Sequence, residues 1–409
     1  MENDQGYKMK RLTAIILAAV ILIMLFASCG TNGDENLHTV YFKDIEKHNE
    51  VTAVFYNNNS KDTKEIKMNA VDEDEDGYTY SCKGDTSLYD TVQFSYEGIE
   101  TTKVAFNKCV SGWYNTEHGF LPFAYGADDP YKSRNNNSFV PADTFVYKND
   151  MYDDVTLNFN GYDKVVHIWT PEDYDPSSSE KYATVYLLDG QQMIYLGFSG
   201  ETLLNSEHAD VQVQSMTAAT GYKAIVVAID TFGDAKRRYS RLDEMVPDLG
   251  DLAYKEDTKK FGTLLSAFIA DTVVPYVQKH YNVYTDAQHT SIAGKSLGGL
   301  EAFYITMEHP ELFGTAGVLS PSFMLYNDDV WRKYLGKKSF DEKSPFLYFY
   351  CGNGEEDNGD TADEMVARIK DMGYPEDRFT YHRAEIGGHE VSFWRSIFSE
   401  FLDAMVYQN

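Results

Sequence analysis

The spacing of apolar residues changes twice along the chain. Residues 12–26, "LTAIILAAVILIMLF", form one unbroken apolar block behind Lys8, Lys10 and Arg11. From Thr39 to Tyr125 the apolar residues fall into short runs, "TVYF", "VTAVFY", "GYTYSC", "TVQFSY" and "TKVAF", with clusters of Asn, Asp and Gly between them. Such runs, spaced about ten residues apart, predict a small antiparallel β-sandwich. We place it at residues 38–126, and a linker at 127–138 within "GADDPYKSRNNNS". From residue 139 the pattern changes again. "DVTLNFN" and "KVVHIWTP" predict a hairpin. "ATVYLLDG", "AIVVAID", "HTSIAG" and "FLYFYCG" are apolar without alternation, as in strands buried on both faces of a mainly parallel sheet. Helical stretches such as "FGTLLSAFIADTVVPYVQKHY" and "DTADEMVARIKDMG" lie between them. Residues 139–409 therefore read as an α/β domain with helices on both faces.

The first block is not part of the fold. A basic start, an apolar stretch short of the roughly 20 residues of a membrane span, and small residues after it describe an export signal over residues 1–29. Residues 1–7 are acidic for such a signal, which favours a start at Met9. "FASC" resembles the lipobox of bacterial lipoproteins, with Phe26 where that pattern prefers Leu. The resemblance implies lipidation at Cys29, hence a cell-surface lipoprotein held to the membrane only by its N-terminus. Ordinary cleavage with secretion and an uncleaved anchor are the alternatives. Export permits disulfides. Cys82 and Cys109 either pair or stay as two buried thiols, and Cys351 reads as a free core cysteine. The net charge of −28 argues against nucleic acid as a partner. No cysteine–histidine spacing suggests a metal site. "DEDEDG" at 72–77 starts like a calcium loop, but Lys83 stands where a bidentate Glu is required, so it reads as an acidic hairpin turn.

The candidate chemistry centres on Gly294-Lys295-Ser296-Leu297-Gly298, a G-x-S-x-G motif. The motif is weak alone, but here a strand precedes it and a helix follows, the setting of a nucleophile elbow. A serine hydroxyl needs a base. Downstream histidines are His309, His382 and His389. His389, in the glycine-flanked loop "IGGHEVSFW" between the last strand and last helix, is the candidate base. The acid belongs after "FLYFYCG", in "NGEEDNGD". Glu355 is favoured, with Asp357 in reserve. The oxyanion donors are assigned to the backbone N–H groups of Leu297 and Gln191, the latter in "YLLDGQQM". Asp189 is given no catalytic role. Residues 232–260 either overhang the site or form a solvated loop.

These motifs, with "SIAGKSLGGLEAFY", "HPELFGTAGVLSPSF" and "GGHEVSFW" in order, resemble the esterase D and carbohydrate esterase family 1 group of α/β-hydrolases over residues 140–409. The resemblance implies a serine carboxylic-ester hydrolase without cofactor, with Ser296, Glu355 and His389 in the triad positions. The acid is often Asp in that group. Lys295 and Leu297 stand at its variable positions. The N-terminal strands loosely resemble family 26 starch-binding modules, which makes Tyr41, Tyr56 and Trp113 candidates for stacking on sugar. Together these imply an extracytoplasmic esterase acting on feruloyl or acetyl esters of carbohydrate. A siderophore or other small-ester hydrolase, and a polysaccharide-binding surface protein with an inactive hydrolase domain, are the alternatives.

Overall fold

The computed structural model describes residues 37–122 and 152–407, apart from short stretches that include 107–111, 195–205, 232–238 and 354–356. The export signal with Cys29, the 127–138 linker, Cys109 and Glu355 lie outside the described residues. Among those described, no helix is long and apolar enough to cross a membrane.

Among the described residues, ten strands make up the N-terminal region: β1 (Leu37–Asp44), β2 (Thr52–Tyr56), β3 (Thr63–Lys67), β4 (Asn69–Asp74), β5 (Gly77–Asp85), β6 (Thr91–Tyr96), β7 (Ile99–Glu100), β8 (Val104–Ala105), β9 (Gly112–Asn115) and β10 (Gly119–Pro122). They form two sheets, β10-β9-β1-β5-β4 and β3-β2-β6-β7, with β8 pairing β6. Period-2 alternation turns Val40, Phe42, Tyr80 and Cys82 of one sheet toward Ala53, Phe55, Val92 and Phe94 of the other, and all are buried. Phe42 stacks on Phe94 with centroids 4.1 Å apart. One pair departs from the expected antiparallel sandwich: β1 and β9 run parallel, Val40 opposite Gly112. The chain reaches β9 only after passing through the other sheet, so no hairpin dictates its direction. Cys82 is a free thiol, and burial pushes its pKa up to about 12.

Tyr41 and Trp113 are register partners on β1 and β9, whereas Tyr56 belongs to the opposite sheet. Lys103 Nζ lies 3.5 Å from the centroid of the Tyr56 ring, and the Tyr56 hydroxyl donates to Gln93 Oε1 at 2.7 Å.

A third sheet has eight strands among the described residues: β11 (Tyr152–Phe159), β12 (Tyr162–Trp169), β13 (Ala183–Leu188), β14 (Ala224–Ile229), β15 (Thr290–Lys295), β16 (Thr315–Leu319), β17 (Phe346–Cys351) and β18 (Phe379–Arg383). Their order is β11-β12-β14-β13-β15-β16-β17-β18, antiparallel for the first two pairings and parallel from β14 onward. The predicted hairpin is β11–β12. Its turn is Asn160-Gly161, with φ of 50° and 83°, as a two-residue turn matching the strand twist requires. Helices cover both faces: α1 (Gly190–Met193), α2 (Ala209–Thr220), α3 (Arg241–Met245), α4 (Gly262–Phe268), α5 (Val274–His280), α6 (Leu297–Glu308), α7 (Asp328–Leu335), α8 (Gly359–Asp371) and α9 (Val391–Tyr407). A π-helical turn, Ile269–Val273, joins α4 to α5.

Alternate residues of each parallel strand feed separate cores. Ile225, Val227 and Ile229 pack with α4, α5 and α6, while Ala224, Val226 and Ala228 pack with α2 and α9. Both sets are fully buried, which is why these strands show no polar alternation. Burial of each large aliphatic side chain contributes about 1.5–3 kcal/mol. This is a mixed, mainly parallel α/β-hydrolase sheet, preceded by a small all-β region.

Candidate active site

The site lies where β13, β15 and β17 end. β15 is buried throughout and stops at Lys295. Ser296 follows with φ 58° and ψ −121°, and α6 begins at Leu297. Holding a non-glycine residue there costs about 1–3 kcal/mol unless the surroundings impose it. Here they do. The Ser296 N–H donates to Leu319 O at 2.9 Å, and Ser322 N–H donates to Ser296 O at 3.1 Å. Both backbone groups of the serine are thus clamped to β16 and the loop after it. A Cβ on Gly294 would stand 2.4 Å from Gly298 O, so the elbow closes only around glycine. Gly294→Ala is expected to lower stability by about 1–3 kcal/mol, read as a fall in thermal midpoint. The first N–H groups of α6 have no partner within the helix and carry its positive dipole end. Ser296 Oγ lies 3.5 Å from Ser322 Oγ.

His389 follows β18 and precedes α9. Its Nδ1 is 3.0 Å from Asp357 Oδ1. Asp357 is wholly buried, and its Oδ2 accepts the Ser320 hydroxyl at 3.0 Å and the Gly352 N–H. A buried carboxylate needs such partners. The candidate held in reserve therefore meets the imidazole, and the favoured Glu355 lies outside the described residues. The other two downstream histidines are engaged elsewhere. His382 Nδ1 is 2.9 Å from Glu400 Oε2, and His309 Nε2 is 3.1 Å from Ser266 Oγ.

Gln191 sits in α1, directly after β13, whose neighbour in the sheet is β15. Its Oε1 accepts the Thr231 N–H at 3.2 Å, which ties this turn to the end of β14. Asp189, φ 58°, is fully buried. Both its oxygens accept from Arg241, each at 2.7 Å, and Thr231 Oγ1 also donates to it. Arg241 Nη2 reaches Lys295 O at 3.3 Å. The guanidinium therefore ties the β13 turn to the residue before Ser296. Within the described part of 232–260, residues 243–247 are buried, whereas Ser240, Asp248, Gly250, Asp251 and Tyr254 are exposed; Ser240 and Asp243 form a capping box, and Glu244 pairs with the buried Lys164.

Several buried charges were not foreseen. Lys295 is buried and pairs with the buried Glu207. Its signal is visible in retrospect, since a lysine closing a fully buried strand requires a buried counter-charge. Glu301, on α6, is fully buried with both carboxyl oxygens unpartnered. Burial, then the nearby Glu244, raises its pKa well above the usual carboxylate range. Glu301 is thus a buried acid on α6 itself, the helix that begins directly after Ser296.

A family model described as Putative esterase matches residues 161–405, more than half of the chain. The endo-1,4-beta-xylanase/feruloyl esterase of Xylanibacter ruminicola is 27% identical over 127 residues, which are 31% of this chain and 16% of that relative's length. The crystal structure of the Bacillus cereus BES protein superposes with a TM-score of 0.49 at 20% identity, covering 63% of this chain and 96% of that one. The enterobactin esterase of Shigella flexneri gives a TM-score of 0.47 at 15% identity, covering 93% and 97%. With the family model spanning seven of the eight strands of this sheet, β12 to β18, the chain belongs to the Putative esterase family, carboxylic ester hydrolases of α/β-hydrolase fold.

Proposed function

We propose that this esterase works through an acyl-enzyme formed on Ser296, with His389 as base and Asp357 as the acid that orients it. The observation that carries the reading is the contact of His389 with a buried, fully hydrogen-bonded Asp357, in a sheet whose nucleophile elbow holds Ser296. Nδ1 faces the carboxylate, which leaves Nε2 for the serine proton. Ser296 Oγ rotates from Ser322 toward His389 as the ester binds, since such hydrogen bonds tighten in the Michaelis complex. Oγ attacks the ester carbonyl carbon as its proton passes to Nε2. The Leu297 and Gln191 N–H groups then stabilise the oxyanion, each donor contributing about 2.7–4 kcal/mol. The imidazolium returns the proton to the leaving alcohol, and water repeats the cycle on the acyl-enzyme. The three side chains, the two backbone N–H groups and water account for every bond and proton in the cycle.

For substrate we propose acylated carbohydrate, carrying feruloyl or acetyl groups. The support is the relative whose name includes feruloyl esterase. Tyr41 and Trp113, adjacent in register on one sheet, are the proposed sugar-contacting positions. Anchoring through Cys29 and export across the membrane rest on the sequence alone. The test is a substrate panel after labelling. A fluorophosphonate probe is expected to modify Ser296, as located by peptide mass. Feruloyl oligosaccharides and acetylated xylan are expected to be cleaved faster than iron-chelating triesters. An unlabelled protein overturns the catalytic reading, and a preference for the triesters overturns the substrate.

A further inference from the structure

Trp394 touches three parts of the site, yet the reaction above does not use it. It stands on the first turn of α9 and is nearly buried. Its Nε1–H donates to Ser320 Oγ at 2.8 Å. Its ring meets the His389 ring edge to face, with centroids 4.8 Å apart and planes at 85°. Lys295 Nζ lies 5.2 Å from its centroid.

The direction of these hydrogen bonds is determined by chemistry. An indole N–H is a donor only, and an ionised carboxylate is an acceptor only. Ser320 Oγ therefore accepts from Trp394 and spends its single proton on Asp357 Oδ2. Ser320 is fully buried at φ 42°, a strained conformation for serine, and its N–H is held by Tyr350 O at 2.7 Å. Such strain in a residue joining a triad carboxylate to an indole points to positioning.

We infer that Trp394 and Ser320 are positioning residues of the esterase site, an indole–hydroxyl relay that holds Asp357 against His389. The inference rests on the triad reading above. Without the Ser320 hydroxyl, Asp357 loses one of its donors and becomes more basic. It then holds the His389 imidazolium more tightly and is less well oriented. The acidic limb of the kcat/KM profile, which reports His389 in the free enzyme, accordingly moves to higher pH. The charged groups around this imidazole include Asp357, the adjacent Glu390 and, across the indole, Lys295 with Glu207, to which Arg395 is coupled. The variants below keep all of them.

The experiment uses the full chain, with active sites counted by fluorophosphonate titration so that misfolded protein drops out. Ser320→Ala is expected to lower kcat per titrated site about ten- to a hundredfold, the loss of one hydrogen bond to a charged group, with little change in KM. Its acidic limb should shift upward. Trp394→Phe keeps the ring beside His389 and removes the N–H. It should shift the profile in the same direction with a smaller loss. In the double variant the two losses should not multiply, because the indole acts through the hydroxyl. A Trp394→Phe enzyme with wild-type kcat and pH profile, or two losses that multiply, overturns the relay and leaves the triad standing. Wild-type protein that takes up no probe overturns the triad and the relay with it.

Discussion

Ser296→Ala is expected to lower kcat on p-nitrophenyl acetate by about a millionfold, as for loss of a serine that acts in concert with its base. What survives should be the contribution of the oxyanion donors and of binding, about a thousand- to ten-thousandfold over water. Binding should persist, because the change removes one oxygen from a residue whose backbone is held by Leu319 and Ser322. Circular dichroism and the thermal midpoint are expected to remain near wild type, since Cβ stays in place at φ 58°. Ser322→Ala is the control, because its hydroxyl lies 3.5 Å from that of Ser296. That residue has φ −78° and no elbow, so its loss should cost tenfold at most. Ser296→Ala retaining more than a hundredth of wild-type activity, or Ser322→Ala matching its collapse, would place the chemistry on another group.

Much of the α/β region is legible in the sequence because its strands are buried on both faces. "AIVVAID" and "FLYFYCG" have no polar alternation, and each ends at a residue that begins a loop. The strand order is less legible. β13 lies between β14 and β15 because helices carry each crossover, and nothing local encodes which neighbour a buried strand selects. Short or polar strands escape as well. β3 is "TKEIK", with alternate residues exposed, and β7 and β8 have two residues each. At the site, Ser296 and His389 stand out because glycines flank them and the chain order restricts the choice. The acid does not, because "NGEEDNGD" offers several carboxylates and spacing cannot say which one turns inward. Lys295 escapes a motif reading, which treats its position as variable, because its burial beside Glu207 depends on a contact remote in sequence.

Two substitutions in that acidic loop should separate its candidates. Asp357→Asn is expected to lower kcat by about ten-thousandfold with KM nearly unchanged, whereas Glu355→Gln should stay within about threefold of wild type. The asparagine fits the same space, so shape is preserved. Its amide, however, can present N–H to Nδ1 of His389, which then holds the wrong tautomer for accepting the serine proton. It also removes the negative charge that stabilises the imidazolium while the oxyanion exists. Asp357 is surrounded by donors from three segments, Gly352, Ser320 and His389, which hold it against the imidazole. Steady-state kinetics on protein normalised by circular dichroism decides the matter. If Glu355→Gln collapses while Asp357→Asn works, the imidazole is oriented by the other carboxylate, and the contact seen at 3.0 Å is packing without catalytic consequence.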